Sequence, residues 1–295
     1  MITSLPSPSA ASQWCDRHRN EKISIGYVPT MGALHEGHLS LVARSIAENE
    51  VTCASIFVNP LQFNNPDDLK KYPQNRQRDI ETLQRVGCDM VYTGLLAQFF
   101  PEVEDVKQIK MNDPGPPGKG LEGKFRPGHL EGVVTIVERL FRTVGTCRAY
   151  FGEKDYQQTL VVNHLAQRLK GEGLIIDVVP CPTIRENSGL AMSSRNQRLT
   201  ENQKQVASNI YQALSRAKQS WKIGQHDPAA LQRQLREQLA HPDISPDISI
   251  DYAAVRDQNN WSAHTPNTEI SNARALVAAY VGEVRLIDNL YLGGR

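Results

Sequence analysis

The sequence predicts an α/β protein, with a parallel β-sheet between helices over residues 1–183 and a smaller α+β domain over residues 184–295. Three observations carry that prediction. Short β-branched runs alternate with helical patterns through the first two-thirds of the chain, an alternation that builds parallel sheets covered on both faces. After Pro180 the composition changes, and two polar helices precede two strand-like runs. Finally, 295 residues exceed what one hydrophobic core usually organises, so two domains are expected.

Ile23 to Thr30 (ISIGYVPT) and Val51 to Asn59 (VTCASIFVN) are β-branched runs that stop at turn residues, and Met90 to Thr93, Ala149 to Gly152 and Ile175 to Val179 read as three further strands. Between them, Leu130, Val133, Val134, Val137, Leu140, Phe141 and Val144 recur at helical spacing and form one apolar face. Tyr156 to Lys170 is a second helix, closed by Gly171 and Gly173. The domain boundary falls near Thr183. Thr200 then opens a polar helix with Gln203 at capping-box spacing, running through Trp221, and a second helix runs from Pro228 to about Ala240. Ile248 to Val255 and Leu276 to Ile287 read as two strands around a polar connection. Asn112 to Pro127 (NDPGPPGKGLEGKFRP) is too long for a plain connection and reads as a lid or substrate-covering loop.

Composition excludes several classes. Lys+Arg 33 against Asp+Glu 32 leaves a net charge of +1, which lacks the cationic excess that non-specific nucleic-acid binding requires. The longest apolar stretches, such as Ala275 to Val281, fall far short of the about 20 residues a membrane-spanning helix needs. Met1 to Trp14 is rich in Ser and Pro without an apolar run, so no secretory signal is expected there. Cys15, Cys53, Cys88, Cys147 and Cys181 are odd in number and widely spaced, without C-x-x-C. That pattern fits buried thiols in a reducing cytoplasm better than disulfides or a zinc ribbon.

Since ligands in parallel sheets bind beyond the carboxyl ends of the strands, chemistry is sought where a strand stops. The most informative stretch is Pro29-Thr30-Met31-Gly32-Ala33-Leu34-His35-Glu36-Gly37-His38-Leu39. A strand ends at Thr30, a glycine turn follows and a helix starts near His38. Such a junction aims free backbone N–H groups and a positive helix end at one point, a ready anion site. His35 and His38 add donors, and Gly37 lacks a Cβ, so a phosphate can approach between them. Phosphate binding is the preferred reading over a structural histidine.

Rival readings fail on spacing. H-E-x-x-H needs one more residue than His35-Glu36-Gly37-His38 supplies, and no further Cys/His pair lies nearby to complete a zinc site. Gly118, Gly120 and Gly123 match G-x-G-x-x-G, but prolines rather than a strand precede them and Pro127 interrupts any helix, so no dinucleotide site is expected. Lys119 is followed by Gly120, not Ser or Thr, which removes a P-loop, and no G-x-S-x-G occurs.

Three other clusters stand at comparable places. Phe151-Gly152-Glu153-Lys154-Asp155-Tyr156-Gln157-Gln158 lies where a strand ends and a helix begins, and Lys154 is a point cation suited to polyphosphate. Asp155 fits a helix cap equally well. Ile184-Arg185-Glu186-Asn187 leading to Met192-Ser193-Ser194-Arg195-Asn196 offers hydroxyls and a guanidinium for phosphate oxygens, although read alone it is a polar surface turn. Phe57-Val58-Asn59-Pro60-Leu61-Gln62-Phe63 supplies amides that could orient a hydroxyl and a carboxylate, or simply form a turn.

Taken together, PTMGALHEGHLSLV, FVNPLQF, RPGHLEGVVTIV, FGEKDYQQ, Leu190 to Asn196 and VRLIDN resemble the pantothenate synthetase (pantoate–β-alanine ligase) family, in order, from about Ile23 to Asn289. His-x-Gly-His alone would indicate only the wider nucleotidyltransferase superfamily, which includes class I aminoacyl-tRNA synthetases. The resemblance implies a Rossmann-like domain with a small C-terminal domain closing over ATP, a homodimer, and a cytoplasmic place in pantothenate biosynthesis. It implies a two-step reaction in which ATP converts pantoate to pantoyl adenylate with release of pyrophosphate, and β-alanine then displaces AMP. No covalent enzyme nucleophile is needed, in keeping with the missing serine and cysteine motifs. A plain nucleotidyltransferase and a non-catalytic nucleotide-binding module are the alternatives. The amides Gln62 and Gln158 count against the first, and His35, His38, Lys154 and Arg195 against the second.

The resemblance also implies roles. Met31, Gly32, Ala33, Leu34, His35, Glu36, Gly37 and His38 would line the ATP phosphates, with His38 as proton donor and His35 assisting. Gly152, Glu153, Lys154 and Asp155 would hold ATP, with Lys154 on the phosphates and Asp155 near the ribose. Ile184 would meet adenine through its backbone, and Met192, Ser193, Ser194 and Arg195 would close on the triphosphate. Catalysis would rest on His38, His35, Lys154 and Arg195. Gln62 would bind pantoate and β-alanine, Gln158 would bind pantoate, and Asn59 and Arg126 would touch substrate. Mg2+ should accompany ATP. The sequence reads Gln77-Arg78-Asp79 where family members often carry adjacent acids, so no residue is assigned to the metal.

Overall fold

A computed structural model of the chain describes residues 1–240, 248–261 and 270–294. The chain divides into two units, Met1–Pro182 and Thr183–Arg295. The first is built on six parallel strands: β1 (Thr3–Leu5), β2 (Ile25–Thr30), β3 (Val51–Ile56), β4 (Met90–Tyr92), β5 (Cys147–Gly152) and β6 (Ile176–Cys181). Its helices are α1 (Pro8–Asn20), α2 (Glu36–Glu48), α3 (Pro66–Lys70), α4 (Arg76–Arg85), α5 (Leu96–Phe99), α6 (Leu121–Phe125), α7 (His129–Val144) and α8 (Tyr156–Gly171).

Local chemistry sets several of these boundaries. Ser7 caps α1 by accepting Ala10 N–H at 3.2 Å, with Pro8 in the first turn, where its missing N–H costs nothing. The helix α7 ends at Gly145, whose φ of +76° a side chain would resist. The seven apolar residues that predict α7 are all buried, against α1 and α8 on one face of the sheet. Burying a side chain of that size contributes about 1.5–3 kcal/mol, so this face alone ties α7 firmly to the sheet. Leu41 and Val42 of α2 and Leu83 of α4 cover the opposite face.

Strand order is β1-β4-β3-β2-β5-β6. From β2 the chain steps outward through β3 and β4, then returns to lay β5 on the other side of β2. The direction of winding therefore reverses between β2 and β5, the place where parallel sheets open a crevice for ligands. Tyr27 pairs with Ala149, so the ends of β2 at Thr30 and of β5 at Gly152 lie side by side. The His-x-Gly-His turn and the Lys154 segment leave from these two ends.

The Ser/Pro-rich start, to which the sequence assigns no element, forms structure: Thr3–Leu5 pairs with Met90–Tyr92 as an edge strand, and Ser7 and Pro8 initiate α1. Two expectations need correction. The loop from Asn112 to Pro127 is not a free lid. Buried Gln157 donates to Pro117 O (3.0 Å), Lys119 O (3.4 Å) and Gly120 O (3.2 Å), and accepts Glu122 N–H at 2.9 Å, fastening the loop to α8. Its glycines serve packing, since a Cβ on Gly123 would meet Gly118 O at 1.9 Å. Leu276 to Ile287 is also not one strand but the two arms of a hairpin.

The second unit pairs β7 (Ile248–Asp257), β8 (Asn272–Val281) and β9 (Val284–Gly294) antiparallel, under helices α9 (Glu201–Lys222) and α10 (Pro228–Leu239). Gly282, at φ +56°, opens the two-residue turn between β8 and β9. The expected capping box forms, with Gln203 N–H donating to Thr200 Oγ1 and Thr200 N–H to Gln203 Oε1. Part of the polar connection expected between β7 and β8, residues 262–269, lies outside the described residues. Among the described residues no helix is long and apolar enough to cross a membrane. All five cysteines are buried and none forms a disulfide.

Candidate active site

The helix α2 starts at Glu36, with His35 as its N-cap. His35 Nδ1 accepts Gly37 N–H at 3.1 Å, and His38 Nδ1 accepts His35 N–H at 3.4 Å. An imidazole nitrogen that accepts a hydrogen bond carries no proton, so the proton of each neutral ring sits on Nε2. The two rings stand 4.1 Å apart. Burial, with Lys154 adding to it, lowers the His35 pKa to about 4. Burial, then His35 and Lys154, lowers that of His38 to about 3. At neutral pH the pair is uncharged and presents two N–H donors. The Lys154 charge acts on both rings, and Lys154 follows the end of β5 that lies beside the end of β2.

The expected cradle of free backbone N–H groups is corrected. Gly32 N–H donates to Thr30 Oγ1 (3.2 Å), and Ala33 and Leu34 N–H donate to the two oxygens of Asp79, each at 2.9 Å. With the Gly37 and His35 donors also engaged, the turn uses most of its own amides to hold its shape. The imidazole Nε2 atoms are not among these internal bonds.

Gly152 closes β5, and Glu153–Asp155 forms a single 3₁₀ turn before α8. A Cβ on Gly152 would meet nothing within 4 Å, so its surroundings are open. Asp155 precedes α8 but makes no side-chain cap bond; its carboxylate lies 3.6 Å from Lys154 Nζ. The capping reading of Asp155 therefore fails. Gln157 is buried under the loop it holds, while Gln158 follows it at the start of α8.

Asn59 caps the 3₁₀ turn Pro60–Gln62, of which Gln62 is the last residue. Asn59 is 1% exposed, and its amide N–H groups donate to Gln62 Oε1 (2.9 Å) and Gly132 O (3.1 Å), while its oxygen accepts Leu61 N–H. With Oε1 so occupied, Gln62 is left with N–H to donate. Sequence reasoning missed two supports of this turn. His129 accepts from Arg126 Nη1 at Nε2 (2.8 Å) and donates from Nδ1 to Gln62 O (2.9 Å). Burial, then the Arg126 charge, holds its pKa at about 3, so it is a neutral bridge. Gly132 lets α7 approach the turn, since a Cβ there would meet Leu61 O at 2.2 Å and Gln62 N at 2.7 Å. Arg126 contacts Glu122 at 3.4 Å as well as His129. The stretch R-P-G-H-x-x-G was the available signal: its His and second Gly lie at i and i+3, one face of α7.

In the second unit, Met192 N–H donates to Ile184 O at 3.0 Å, joining the two ends of a short loop. Ser193 caps the 3₁₀ segment Ser194–Arg198 by accepting Arg195 N–H, and Asn196 ties the segment to Glu186 (2.8 Å) and Ala191 O (3.1 Å). Ser194 and Asn196 are buried, so this is a built segment rather than a loose surface turn. Arg185 instead pairs with Asp288 at 2.5 Å and stacks on Tyr211.

No group of three or more His, Cys, Asp or Glu among the described residues could hold a metal ion, and both Asp79 oxygens are engaged by backbone N–H. The residues present do not fit a resident metal at this turn.

A parallel sheet with a His-x-Gly-His turn and a lysine at adjacent strand ends defines the class: an α/β enzyme of the nucleotide-handling kind. A sequence model described as pantoate-beta-alanine ligase matches residues 4–291. The chain belongs to that family and is a ligase. It is 42% identical over 269 residues to the pantothenate synthetase of Cytophaga hutchinsonii, covering 91% of this chain and 92% of that protein. The Phocaeicola vulgatus pantothenate synthetase is 40% identical over 279 residues, 95% of each chain. Among solved structures, pantothenate synthetase from Thermus thermophilus superposes with a TM-score of 0.86 at 36% identity, over 99% of this chain and 100% of that one. The pantoate-beta-alanine ligase of Francisella tularensis, complexed with beta-gamma ATP and beta-alanine, gives 0.76 at 32% identity, over 99% and 98%.

Proposed function

We propose that the chain condenses pantoate with β-alanine at the expense of ATP, through a pantoyl adenylate. In the first step a pantoate carboxylate oxygen attacks the α-phosphorus, and the bond from that phosphorus to the bridging oxygen breaks, releasing pyrophosphate. In the second, the amine of β-alanine attacks the acyl carbon, the C–O bond to AMP breaks, and the amine proton passes to solvent. A carboxylate is a poor electrophile, which is why the anhydride must form first. Negative charge gathers on the α-phosphate and on the departing pyrophosphate, and fixed donors there lower the barrier.

The observation that carries this reading is the pair of neutral Nε2–H donors at the end of β2, with the Lys154 charge acting on both from the adjacent end of β5. His38 acts as a neutral N–H donor at the α-phosphate, His35 assists it, and Lys154 takes the phosphate charge. Gly152, Glu153 and Asp155 hold the rest of ATP, with Asp155 toward the ribose. Ile184, Met192, Ser193, Ser194 and Arg195 contribute adenine and triphosphate contacts. Gln62 donates to pantoate and β-alanine, Gln158 to pantoate, while Asn59 and Arg126 act on substrate chiefly by holding the Gln62 turn. Magnesium enters with ATP as part of the substrate. The homodimer and the cytoplasmic location belong to the same proposal, and five unpaired thiols support a reducing compartment.

The test is AMP formation from ATP and pantoate, with and without β-alanine. The expected result is pantoate-dependent pyrophosphate release, with AMP set free when β-alanine is added. Pyrophosphate release that ignores both pantoate and β-alanine would instead mark a plain nucleotidyltransferase.

A further inference from the structure

The turn between β2 and α2 holds two successive residues in the left-handed region, Gly32 at φ +78° and Ala33 at φ +52°. Glycine adopts that conformation freely, alanine resists it, and such strain persists only where surrounding contacts impose it. The imposing contact is the Asp79 carboxylate on α4, 46 residues along the chain from Ala33. Its two oxygens accept Ala33 and Leu34 N–H at 2.9 Å each. Asp79 is 4% exposed, and a carboxylate so far out of water requires such donors. Its bonds reach away from its own helix, whose first turn Asn75 caps by accepting Arg78 N–H at 3.1 Å. A Cβ on Gly32 would stand 2.8 Å from Asp79 Oδ2, so turn and carboxylate are packed against each other without slack.

We propose that Asp79 is a positioning residue for the imidazole pair: by clamping Ala33 and Leu34 it fixes how His35 enters α2, and hence which nitrogen of His35 and His38 carries the proton. The links are continuous. Asp79 holds Leu34 N–H, the next amide, His35 N–H, holds His38 Nδ1, and Gly37 N–H holds His35 Nδ1. Releasing the turn frees both Nδ1 atoms, and a free imidazole samples both tautomers. The proposal rests on the pair's role in adenylate formation, yet the proton positions are readable without turnover.

The experiment compares the full-length protein and Asp79→Asn, whose amide sets an NH2 against one of the two N–H donors, with 15N-labelled histidine at neutral pH. Wild type should show His35 and His38 as Nε2–H tautomers. In Asp79→Asn both should move toward tautomer-averaged shifts while His129 stays unchanged. Single-turnover adenylation should fall by about 10–100-fold, the scale for a displaced catalytic group. The KM for ATP should change little, and Asp79→Glu, which keeps both acceptors, should restore part of the rate. Unchanged His35 and His38 signals in folded Asp79→Asn overturn the proposal, whatever the rate does. Should Asp79→Asn not fold, Asp79→Glu decides, because its longer side chain displaces the carboxylate by one methylene: His35 and His38 shifts between the wild-type and averaged values support the clamp, and wild-type shifts with an undiminished rate overturn it. A protein that held its tautomers through Asp79 but made no adenylate would overturn the functional assignment alone.

Discussion

His35 and His38 are joined through the backbone: the amide of the first donates to Nδ1 of the second at 3.4 Å, with the rings 4.1 Å apart. The bond both caps the helix and fixes a tautomer. Burial first, and then repulsion within the pair and from Lys154, holds both rings well below the ordinary histidine range.

Loss of either principal donor should slow adenylation. His38→Ala and Lys154→Ala are each expected to lower the single-turnover rate by ~10²–10³, the scale for removing one transition-state donor. Rapid-quench measurement of pyrophosphate release checks this, and near-normal adenylate formation in either variant would show the role misassigned.

Acid should destabilise the fold through its histidines. His35 titrates at about 4 and His38 and His129 at about 3, all below the usual 6.5. Between those values the unfolded chain binds more protons than the folded one, so stability is fully present above about pH 6.5 and declines as pH falls toward 3–4. His129→Gln, which can still donate to Gln62 O and accept from Arg126, should flatten this acid branch in a series of thermal melts. A slope equal to wild type would count against the buried neutral bridge.

The neighbouring glutamines should separate cleanly. Gln157→Ala is expected to cost about 1–3 kcal/mol, because it strips partners from Glu122 N–H and three loop carbonyls. Gln158→Ala should leave the melting temperature near wild type and raise the KM for pantoate. Denaturant melts and initial rates distinguish them; equal loss of stability in both would contradict the division of labour.

Gly132→Ala should act on substrates without touching either histidine. Its methyl would press on Leu61 O and Gln62 N, and overpacking of this kind costs about 1–3 kcal/mol. The expected outcome is a higher KM for pantoate and β-alanine with ATP affinity held, measured by initial rates and direct ATP titration. Unchanged KM values would mean that the turn yields freely.

How far the chain could be read in advance varied with the range of the interaction involved. The apolar face of α7 and the Thr200–Gln203 capping box depend on neighbours three and four residues apart, and both formed as expected. The strand–turn–helix at Thr30 to His38 was visible because its punctuation is local. What was missed is tertiary. Nothing within the turn announces that Asp79 will take the amides of Ala33 and Leu34, so the turn looked like an open anion cradle. Thr3–Leu5 is too short for a period to register, and Val281 and Val284, β-branched on both sides of Gly282, disguised a hairpin as one strand. The loop glycines resembled a dinucleotide fingerprint because close backbone packing and close phosphate approach demand the same missing side chain.

The edge strand β1 bears on how the molecule is born. It is translated before the other five strands of its sheet, yet the strand it lies against, Met90–Tyr92, follows only after β2 and β3. The nascent chain must therefore keep Thr3–Leu5 unclaimed until Met90–Tyr92 has been made, a pairing of long sequence separation that closes late in assembly of the sheet.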